Sequence, residues 1–305
     1  MIELKSVSNP VPSVQLEAVA AEAAPARVTT EGRAGTASAE VSRSLKHLAA
    51  KGRGEPVRRS SAAPSLESII GPTDERVRIL DTDLAPWRMV CALRLRGPSG
   101  GGAMGTGWFV GPKTLLTAGH CVYSTHFFGG WASEIEVSPG RNGDEFPFKT
   151  VKSRSFSSVD RWVSSEDPDF DMGCIHLTEP IGDKVGWFAV AALPPAELEG
   201  YLVNVSGYPG DRGMGTEQYH HKNRVLRVTE RRVFYDVDTF GGQSGAPVWI
   251  HETDTAPPIA VGIHAYGTGG APAGLEANSA PRIIPEVLDR IREWVEADGG
   301  WPKRP

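Results

Sequence analysis

Three residues of this chain have the types needed to activate a hydroxyl for attack: His120, Asp171 and Ser244. A serine hydroxyl is a weak nucleophile at neutral pH, so it needs an imidazole to take its proton and backbone N–H groups to hold the oxyanion that forms. An acid between the two in sequence can orient the imidazole and stabilise its charged form. His120 follows a short apolar run, Asp171 precedes another, and Ser244 lies in a glycine-rich run. Together they predict nucleophilic hydrolysis.

The glycines before Ser244 suggest how the oxyanion would be held. Gly241 and Gly242 lack a Cβ atom and can adopt backbone angles that other residues avoid. Such angles would turn the N–H groups of Gly242 and Ser244 towards one point, as an oxyanion hole requires. Taken alone, the run is also compatible with a turn between strands, and a lone histidine after a strand is more often structural. Their occurrence in one chain favours the catalytic interpretation.

The motifs resemble those of the chymotrypsin-like serine peptidases. The matching runs are residues 117–121 (TAGHC), 171–175 (DMGCI) and 241–248 (GGQSGAPV). Runs 129–133 and 139–143, with Ile263-His264, narrow the resemblance to the glutamyl endopeptidases. It extends from about residue 68 to the C-terminal helix. It implies a serine endopeptidase that cleaves protein or peptide substrates through an acyl-enzyme, with His120 as general base, Asp171 as its orienting acid and Ser244 as nucleophile.

The same resemblance implies a pocket for an acidic side chain. His264 follows a strand that lines the pocket in this fold, and Thr239, five residues before Ser244, matches a second pocket position. Imidazole suits a carboxylate because it donates when neutral and becomes a cation when the anion raises its pKa. We therefore expect cleavage after glutamate, with aspartate slower.

Alternatives to this interpretation stay open. Asp238 occupies the place where trypsins hold the aspartate that binds arginine or lysine. His264 could instead be a core residue that fills space. The whole chain could also be an inactive homologue that serves as a binding module.

Aromatic residues are distributed very unevenly along the 305 residues. All 24 Trp, Tyr and Phe lie from Trp87 onwards. One domain, residues 68–305, therefore holds the core. Residues 1–67 are too poor in bulky apolar groups to offset the entropy of folding and are expected to be largely disordered, apart from a possible amphipathic helix at 38–51.

Short apolar segments separated by turn residues follow from residue 88 to residue 263, a pattern typical of sandwiches and barrels. The predicted strands are 89–95, 106–110, 114–118, 134–137, 173–177, 202–207, 225–228, 233–237, 247–250 and 259–263. The resemblance selects an all-β fold of two packed six-stranded antiparallel Greek-key β-barrels with the site between them. An amphipathic C-terminal α-helix is predicted at Pro285–Ala297, with its apolar stripe on the second barrel.

The start of the domain resembles the mature start of glutamyl endopeptidases. Glu67 precedes Ser68, so a glutamate-specific enzyme could cut this bond itself. Residues 1–67 are therefore interpreted as a pro-segment that keeps the enzyme inactive. In the chymotrypsin pattern a carboxylate before the serine pairs with the new ammonium group, but Gln243 carries no charge. The resemblance implies instead that the new N-terminus lies near the specificity pocket and lends its positive charge to the substrate.

Charge argues against nucleic acid as a partner. The net charge is −5; residues 1–67 carry 9 Lys/Arg and 7 Asp/Glu, which leaves 23 and 30, or −7, for the remainder. No apolar segment is long enough to span a membrane, and the first 27 residues lack the pattern of a secretory signal. We expect a monomer that uses no cofactor; its location stays open.

Cysteines and possible metal ligands add little. The three cysteines, Cys91, Cys121 and Cys174, cannot all pair within one chain. Residues 167–178 hint at a calcium loop but lack its glycine and its final glutamate. His220, His221 and His251 lack partners at metal spacing and are expected on the surface. The sequence predicts no metal site.

Overall fold

Two large β-sheets form the body of the protein. The computed structural model describes residues 4–10, 29–30, 55–56, 70–251 and 257–302. The strands of the first half, in chain order, are β1 (Ser6–Ser8), β2 (Thr29–Thr30), β3 (Glu55–Pro56), β4 (Thr73–Asp74), β5 (Val77–Arg78), β6 (Val90–Arg96), β7 (Gly102–Phe109), β8 (Thr114–Thr117), β9 (Tyr123–Ser124), β10 (Gly130–Trp131), β11 (Glu134–Pro139), β12 (Val151–Ser153), β13 (Ser155–Val159) and β14 (Gly173–His176). Those of the second half are β15 (Ala189–Ala191), β16 (Leu202–Gly207), β17 (Tyr219–Val228), β18 (Arg232–Tyr235), β19 (Pro247–Ile250), β20 (Ile259–Ile263) and β21 (Asn278–Pro281). All ten strands expected from the sequence are present.

The first sheet has eight strands in the order β1-β13-β14-β8-β7-β6-β11-β12, all antiparallel. Strands β6, β7 and β8 follow one another, and β11 returns to lie beside β6. This is the Greek-key order predicted from the sequence.

The second sheet has nine strands and repeats that arrangement. Its order is β2-β15-β20-β19-β16-β17-β18-β21, with β5 also on β17, and β19 returns to lie beside β16. Each sheet has more strands than the six predicted for each barrel. The additional strands are short segments that pair with the sheet edges, whose N–H and C=O groups would otherwise be unpaired. One such pair, β15 with β20, is parallel.

Helices are few and mostly one turn long. They are α1 (Gly119–Val122), α2 (Asp160–Ser165), α3 (Gly182–Val185), α4 (Pro195–Leu198) and α5 (Pro285–Ala297), with 3-10 turns at Trp87–Met89, Pro168–Phe170, Gly213–Gly215 and Thr268–Gly270. Helix α5 has the predicted bounds and buries the predicted apolar stripe.

Helix α5 packs on the first half as well, whereas we expected the second barrel alone. A Cβ added to Gly111, in the turn between β7 and β8, would lie 3.0 Å from Val295. Beyond the helix, Asp298 accepts a hydrogen bond from the Thr114 hydroxyl of β8 at 2.6 Å. The stripe is long enough to join a core cluster to which both halves contribute.

Residues 4–10 do not follow the expectation of disorder for residues 1–67. They include β1, which is the outermost strand of the first sheet. Further along the segment, β2 pairs with β15 and β3 with β4. The possible helix at 38–51 and the predicted processing residues Glu67 and Ser68 lie outside the described residues.

All three cysteines are buried and unpaired, which closes the question that the sequence left open. In the part of the chain that the structure describes, no helix has the length and apolarity needed to cross a membrane.

Candidate active site

Strand pairing brings His120 and Asp171 together across the first sheet. His120 lies in α1, directly after β8, and Asp171 follows the turn Pro168–Phe170 just before β14. Since β8 and β14 are antiparallel neighbours, these two strand ends meet. Asp171 Oδ2 lies 2.7 Å from His120 Nδ1, and Oδ1 accepts the backbone N–H of His120 at 2.9 Å. Asp171 is fully buried, so its charge acts through a medium of low dielectric constant.

This pairing sets the protonation of His120. Burial lowers the pKa of the imidazole, but the charge of Asp171 and its hydrogen bond raise it by more, so the pKa of His120 lies well above its ordinary value. The imidazole is thereby made a stronger base. Because an ionised carboxylate can only accept, Asp171 fixes the proton of neutral His120 on Nδ1 and leaves Nε2 as the basic atom.

An aromatic residue that the sequence interpretation missed supports the His120 turn. The rings of Trp162 and His120 lie 6.4 Å apart, and Trp162 Nε1 donates to the Tyr123 carbonyl at 2.9 Å. A Cβ on Gly119 would lie 2.7 Å from the indole, so only glycine allows this approach. The glycine next to His120 in the motif was the available signal.

Glycine conformation shapes the loop that carries Ser244. Gly242 has a φ of 105° and Gly245 a φ of 89°, in the region that favours glycine. A Cβ on Gly242 would lie 2.6 Å from the Tyr208 carbonyl oxygen. Of the two glycines expected to turn the loop, Gly242 thus adopts the special conformation and Gly241 does not.

Thr106 of β7 ties this loop to the first half. Its N–H donates to the carbonyl of Ser244 at 2.8 Å, and its hydroxyl donates to the carbonyl of Gly242 at 2.9 Å while accepting from the N–H of Tyr208 at 3.0 Å. Cys121, next to His120, lies with its Sγ 3.7 Å from the Ser244 carbonyl. The loop from one half and the His120 turn from the other are therefore brought side by side. No pattern in the sequence identified Thr106.

Each of the two predicted substrate-binding residues has a buried polar atom that makes no hydrogen bond within the part of the chain that the structure describes. His264 and Thr239 are fully buried, and neither His264 Nε2 nor Thr239 Oγ1 has a hydrogen-bond partner among the described residues. Burial of a polar atom without a partner costs about 1–3 kcal/mol, a cost that a bound ligand with complementary groups would remove.

A tyrosine orients His264. The Tyr235 hydroxyl lies 2.6 Å from His264 Nδ1. When this hydroxyl donates, the proton of the neutral imidazole is on Nε2, which makes the partnerless atom a donor. Burial, together with the positive charge of His120, lowers the pKa of His264 to about 3. The ring is therefore neutral around pH 7 until an anion is placed beside it.

Asp238 is fully engaged by the chain itself. Its Oδ1 accepts the N–H of Ile70 and its Oδ2 that of Glu75, each at 2.7 Å, and its side chain is 1% exposed. Its own N–H donates to His221 Nδ1 at 2.8 Å. Burial raises the pKa of this carboxyl despite the two backbone donors. Both of its oxygens hold the start of the domain.

None of the three histidines expected on the surface is exposed, and His251 is half-buried. His220 is buried and lies 3.0 Å from the side-chain oxygen of Asn204. His221, with Glu75 and Asp238, forms a group whose potential metal-ligand atoms lie within 4.8 Å of one another. Hydrogen bonds to the backbone already use the acceptor atoms of Asp238 and Nδ1 of His221. Strand pairing, which sequence spacing cannot reveal, creates this group.

Comparison with known proteins agrees with this geometry. The Trypsin family model matches residues 81–280. A glutamyl endopeptidase of Bacillus licheniformis is 37% identical over 238 residues, covering 77% of this chain and 71% of the relative. A Bacillus subtilis protein named extracellular metalloprotease is 36% identical, with 75% and 70% covered.

Among solved structures, that of a Glu endopeptidase in complex with MPD superposes with a TM-score of 0.63 at 24% identity, covering 75% of this chain and 99% of that one. A protease from Arthrobacter nicotinovorans gives a TM-score of 0.56 at 15% identity, with 68% and 95% covered. These likenesses support the fold. The family match over residues 81–280 and the relative of 37% identity show that the chain belongs to the trypsin family of serine endopeptidases.

Proposed function

We propose that this protein is a glutamate-specific serine endopeptidase, which cleaves after aspartate more slowly. The observation that carries the specificity is the pair of buried, partnerless atoms His264 Nε2 and Thr239 Oγ1. Substrates are proteins or peptides. We expect a monomer, with no nucleic acid or membrane as partner.

The chemistry follows from the residues around Ser244. His120 Nε2 takes the hydroxyl proton of Ser244 as Oγ attacks the scissile carbonyl carbon. The carbonyl oxygen becomes an oxyanion, for which the N–H groups of Gly242 and Ser244 are the donors. His120 then returns the proton to the leaving amine. A water molecule, activated in the same way, releases the acyl group from Ser244. Asp171 holds the imidazole in position and stabilises its charged form.

An acidic side chain of the substrate offsets the free-energy cost of burying His264 Nε2 and Thr239 Oγ1 without partners. A glutamate carboxylate accepts from His264 Nε2 and from the Thr239 hydroxyl, and its charge raises the pKa of His264 above the value of about 3. Glutamine would accept hydrogen bonds but bring no charge. Arginine or lysine would place further donors against these donors, and both oxygens of Asp238 already accept backbone N–H groups of the chain itself.

Activation by a cut that separates residues 1–67 from the rest of the chain is part of the same proposal. Ile70 is held at Asp238, and Asp238 precedes the pocket residue Thr239 in the chain. A cut between Glu67 and Ser68 creates an ammonium group two residues from Ile70, which a chain can place within about 7 Å of the Ile70 nitrogen. That charge would favour an anionic substrate.

Two assays test this function. A fluorophosphonate should label the chain and Ser244→Ala should not be labelled; equal labelling would leave another nucleophile as the reactive group. Paired fluorogenic peptides that end in Glu or Arg should show at least tenfold higher kcat/KM for Glu. A preference for Arg would support the trypsin-like alternative. A folded, truncated chain that neither reacts with the fluorophosphonate nor turns over peptide would support a binding module.

A further inference from the structure

The β13 edge of the first sheet binds an extended segment of the chain, residues 4–10, through backbone hydrogen bonds. Antiparallel pairing joins Ser6, Val7 and Ser8 to Val159, Ser158 and Ser157 of β13. The ladder continues at both ends. The N–H of Asp160 donates to the Lys5 carbonyl at 2.9 Å, and that of Asn9 donates to the Phe156 carbonyl at 3.1 Å.

Side chains add sequence-specific contacts. The Asn9 side chain accepts the N–H of Phe156 at 2.9 Å and donates to the Arg154 carbonyl at 2.7 Å, so it bonds to two successive peptide units of that edge. Leu4 is 3% exposed and belongs to the same core cluster as Trp162 and Trp294. Backbone pairing with a strand edge does not require a buried side chain, so the burial of Leu4 is a contact in addition to that pairing.

Helix α5 closes the other side of the segment. Trp294 Nε1 donates to the Ser6 hydroxyl at 2.9 Å, and the Arg290 guanidinium donates to the Leu4 carbonyl. Both donors belong to the C-terminal helix and both acceptors to residues 4–10. The first and last parts of the described chain therefore pack on each other.

A chain of hydrogen-bonded polar groups runs from Asp298 through the buried Ser157 to the exposed Ser8. Its hydroxyl lies 2.7 Å from that of Ser157, which lies 2.9 Å from His176 Nε2. His176 Nδ1 lies 2.9 Å from Asp298 Oδ2. Because the carboxylate of Asp298 only accepts, neutral His176 donates from Nδ1 and accepts the proton of Ser157 at Nε2. The Ser157 oxygen is then left to accept from Ser8.

Ser157, His176 and Asp298 repeat the residue types of a catalytic triad, but they serve another purpose. Ser157 is 3% exposed and lies within β13, where both neighbouring strands pair with it. Its hydroxyl is taken by Ser8. The group is a preorganised hydrogen-bonding socket for the N-terminal strand.

We propose that this surface, the β13 edge with α5 and the Ser157–His176–Asp298 socket, holds residues 4–10 permanently as a strand of the catalytic domain. A cut between residues 56 and 70 therefore leaves the N-terminal fragment bound as a second polypeptide. Cleavage before Ser68 would create a new N-terminus and would not remove β1. The proposal stands whether or not Ser244 is the nucleophile.

The test uses the full chain carrying Ser244→Ala, with the recognition sequence of a site-specific protease in place of residues 58–64. After complete cutting, size-exclusion chromatography and native mass spectrometry at 1 µM should show the fragment with the domain. Leu4→Asp with Ser8→Val should release it and weaken its binding more than tenfold. Lys5→Ala, which changes only an exposed side chain, is the matched control. Release of the unaltered fragment at this concentration would overturn the proposal.

Hydrogen exchange tests the site in a way that does not depend on whether the cut fragment stays bound to the domain. In a chain lacking residues 1–12, the amides of Phe156 and Asp160 should exchange at least tenfold faster, because they donate to this segment. A synthetic peptide of residues 1–12 should restore their protection, and one with Leu4→Asp and Ser8→Val should not. Unchanged exchange after truncation, or fluorophosphonate labelling of Ser157 in the Ser244→Ala chain, would contradict the assignment.

Discussion

The carboxylate of Asp238 accepts the backbone N–H of Ile70 at 2.7 Å and thereby anchors the start of the catalytic domain beside the pocket. The second oxygen is bound by Glu75 in the same way. A residue that by position would bind a basic substrate side chain is thus turned towards its own chain.

Asp238→Ala should lower stability without altering specificity. Two part-buried N–H groups lose their acceptor, at up to about 1–3 kcal/mol each, while no contact with the substrate is removed. Thermal unfolding should show the loss, and the Glu to Arg ratio of kcat/KM should stay within about twofold. Asp236→Asn, two residues earlier, should change neither quantity. A large drop in Arg cleavage with Asp238→Ala would instead identify it as the specificity residue.

Asp171→Asn should reduce kcat on the order of 10⁴-fold, because the amide no longer holds His120 in the productive tautomer. The pH profile should move as well. Activity requires neutral His120, so in the unaltered protein kcat/KM falls as the pH drops through a pKa above about 6.5. Without the charge of Asp171, burial dominates, the pKa falls and the acid limb shifts to lower pH. If the acid limb of the kcat/KM profile does not shift in a folded Asp171→Asn variant, a group other than His120 controls the pH dependence.

Tyr235→Phe should weaken recognition of glutamate by orienting His264 less well. The loss of one hydrogen bond, about 0.5–1.5 kcal/mol, corresponds to a two- to tenfold lower kcat/KM for Glu peptides. His264→Val should lose more, because it removes the donor itself, and Ser244 should still react with the fluorophosphonate in both variants. Glu cleavage undiminished by His264→Val would refute the acidic pocket.

Thr106→Val should impair catalysis although Thr106 carries no catalytic group. The hydroxyl holds the Gly242 carbonyl and the Tyr208 N–H, and its loss leaves both buried groups without that partner, at about 1–3 kcal/mol. We expect kcat to fall roughly 5- to 150-fold with little change in KM. Thr106→Ser keeps the hydroxyl and should restore most of the rate. Equal losses in Val and Ser variants would indicate a packing defect.

His220 should make the protein less stable in acid. Burial, with the nearby positive charge of His221, lowers the pKa of His220 to about 3. Between about pH 6.5 and 3 the unfolded chain binds the proton and the folded chain does not, so stability falls as the pH falls, by up to about 1.4 kcal/mol per pH unit. Denaturant unfolding from pH 4 to 7 should show a shallower slope for His220→Gln, while exposed His126→Gln should leave the slope unchanged.

The amino-acid sequence by itself determined the residues of the proposed triad, the ten central strands and the C-terminal helix. Each depends on local information: a motif of a few residues, a run of apolar residues between turns, or a stripe at helical spacing. Gly242, the proposed oxyanion donor, could be identified for the same reason, since its backbone angle is one that favours glycine.

Only the tertiary structure decided the direction and partners of side chains. Asp238 could have faced the pocket or the chain, and the choice depends on Ile70 and Glu75, more than 160 residues away in sequence. The support from Trp162, Tyr235 and Thr106, and the docking of Leu4 and Ser8 on β13, likewise rest on contacts between distant strands. Such contacts lower the free energy only once both sheets have formed, so no local pattern in the sequence records them.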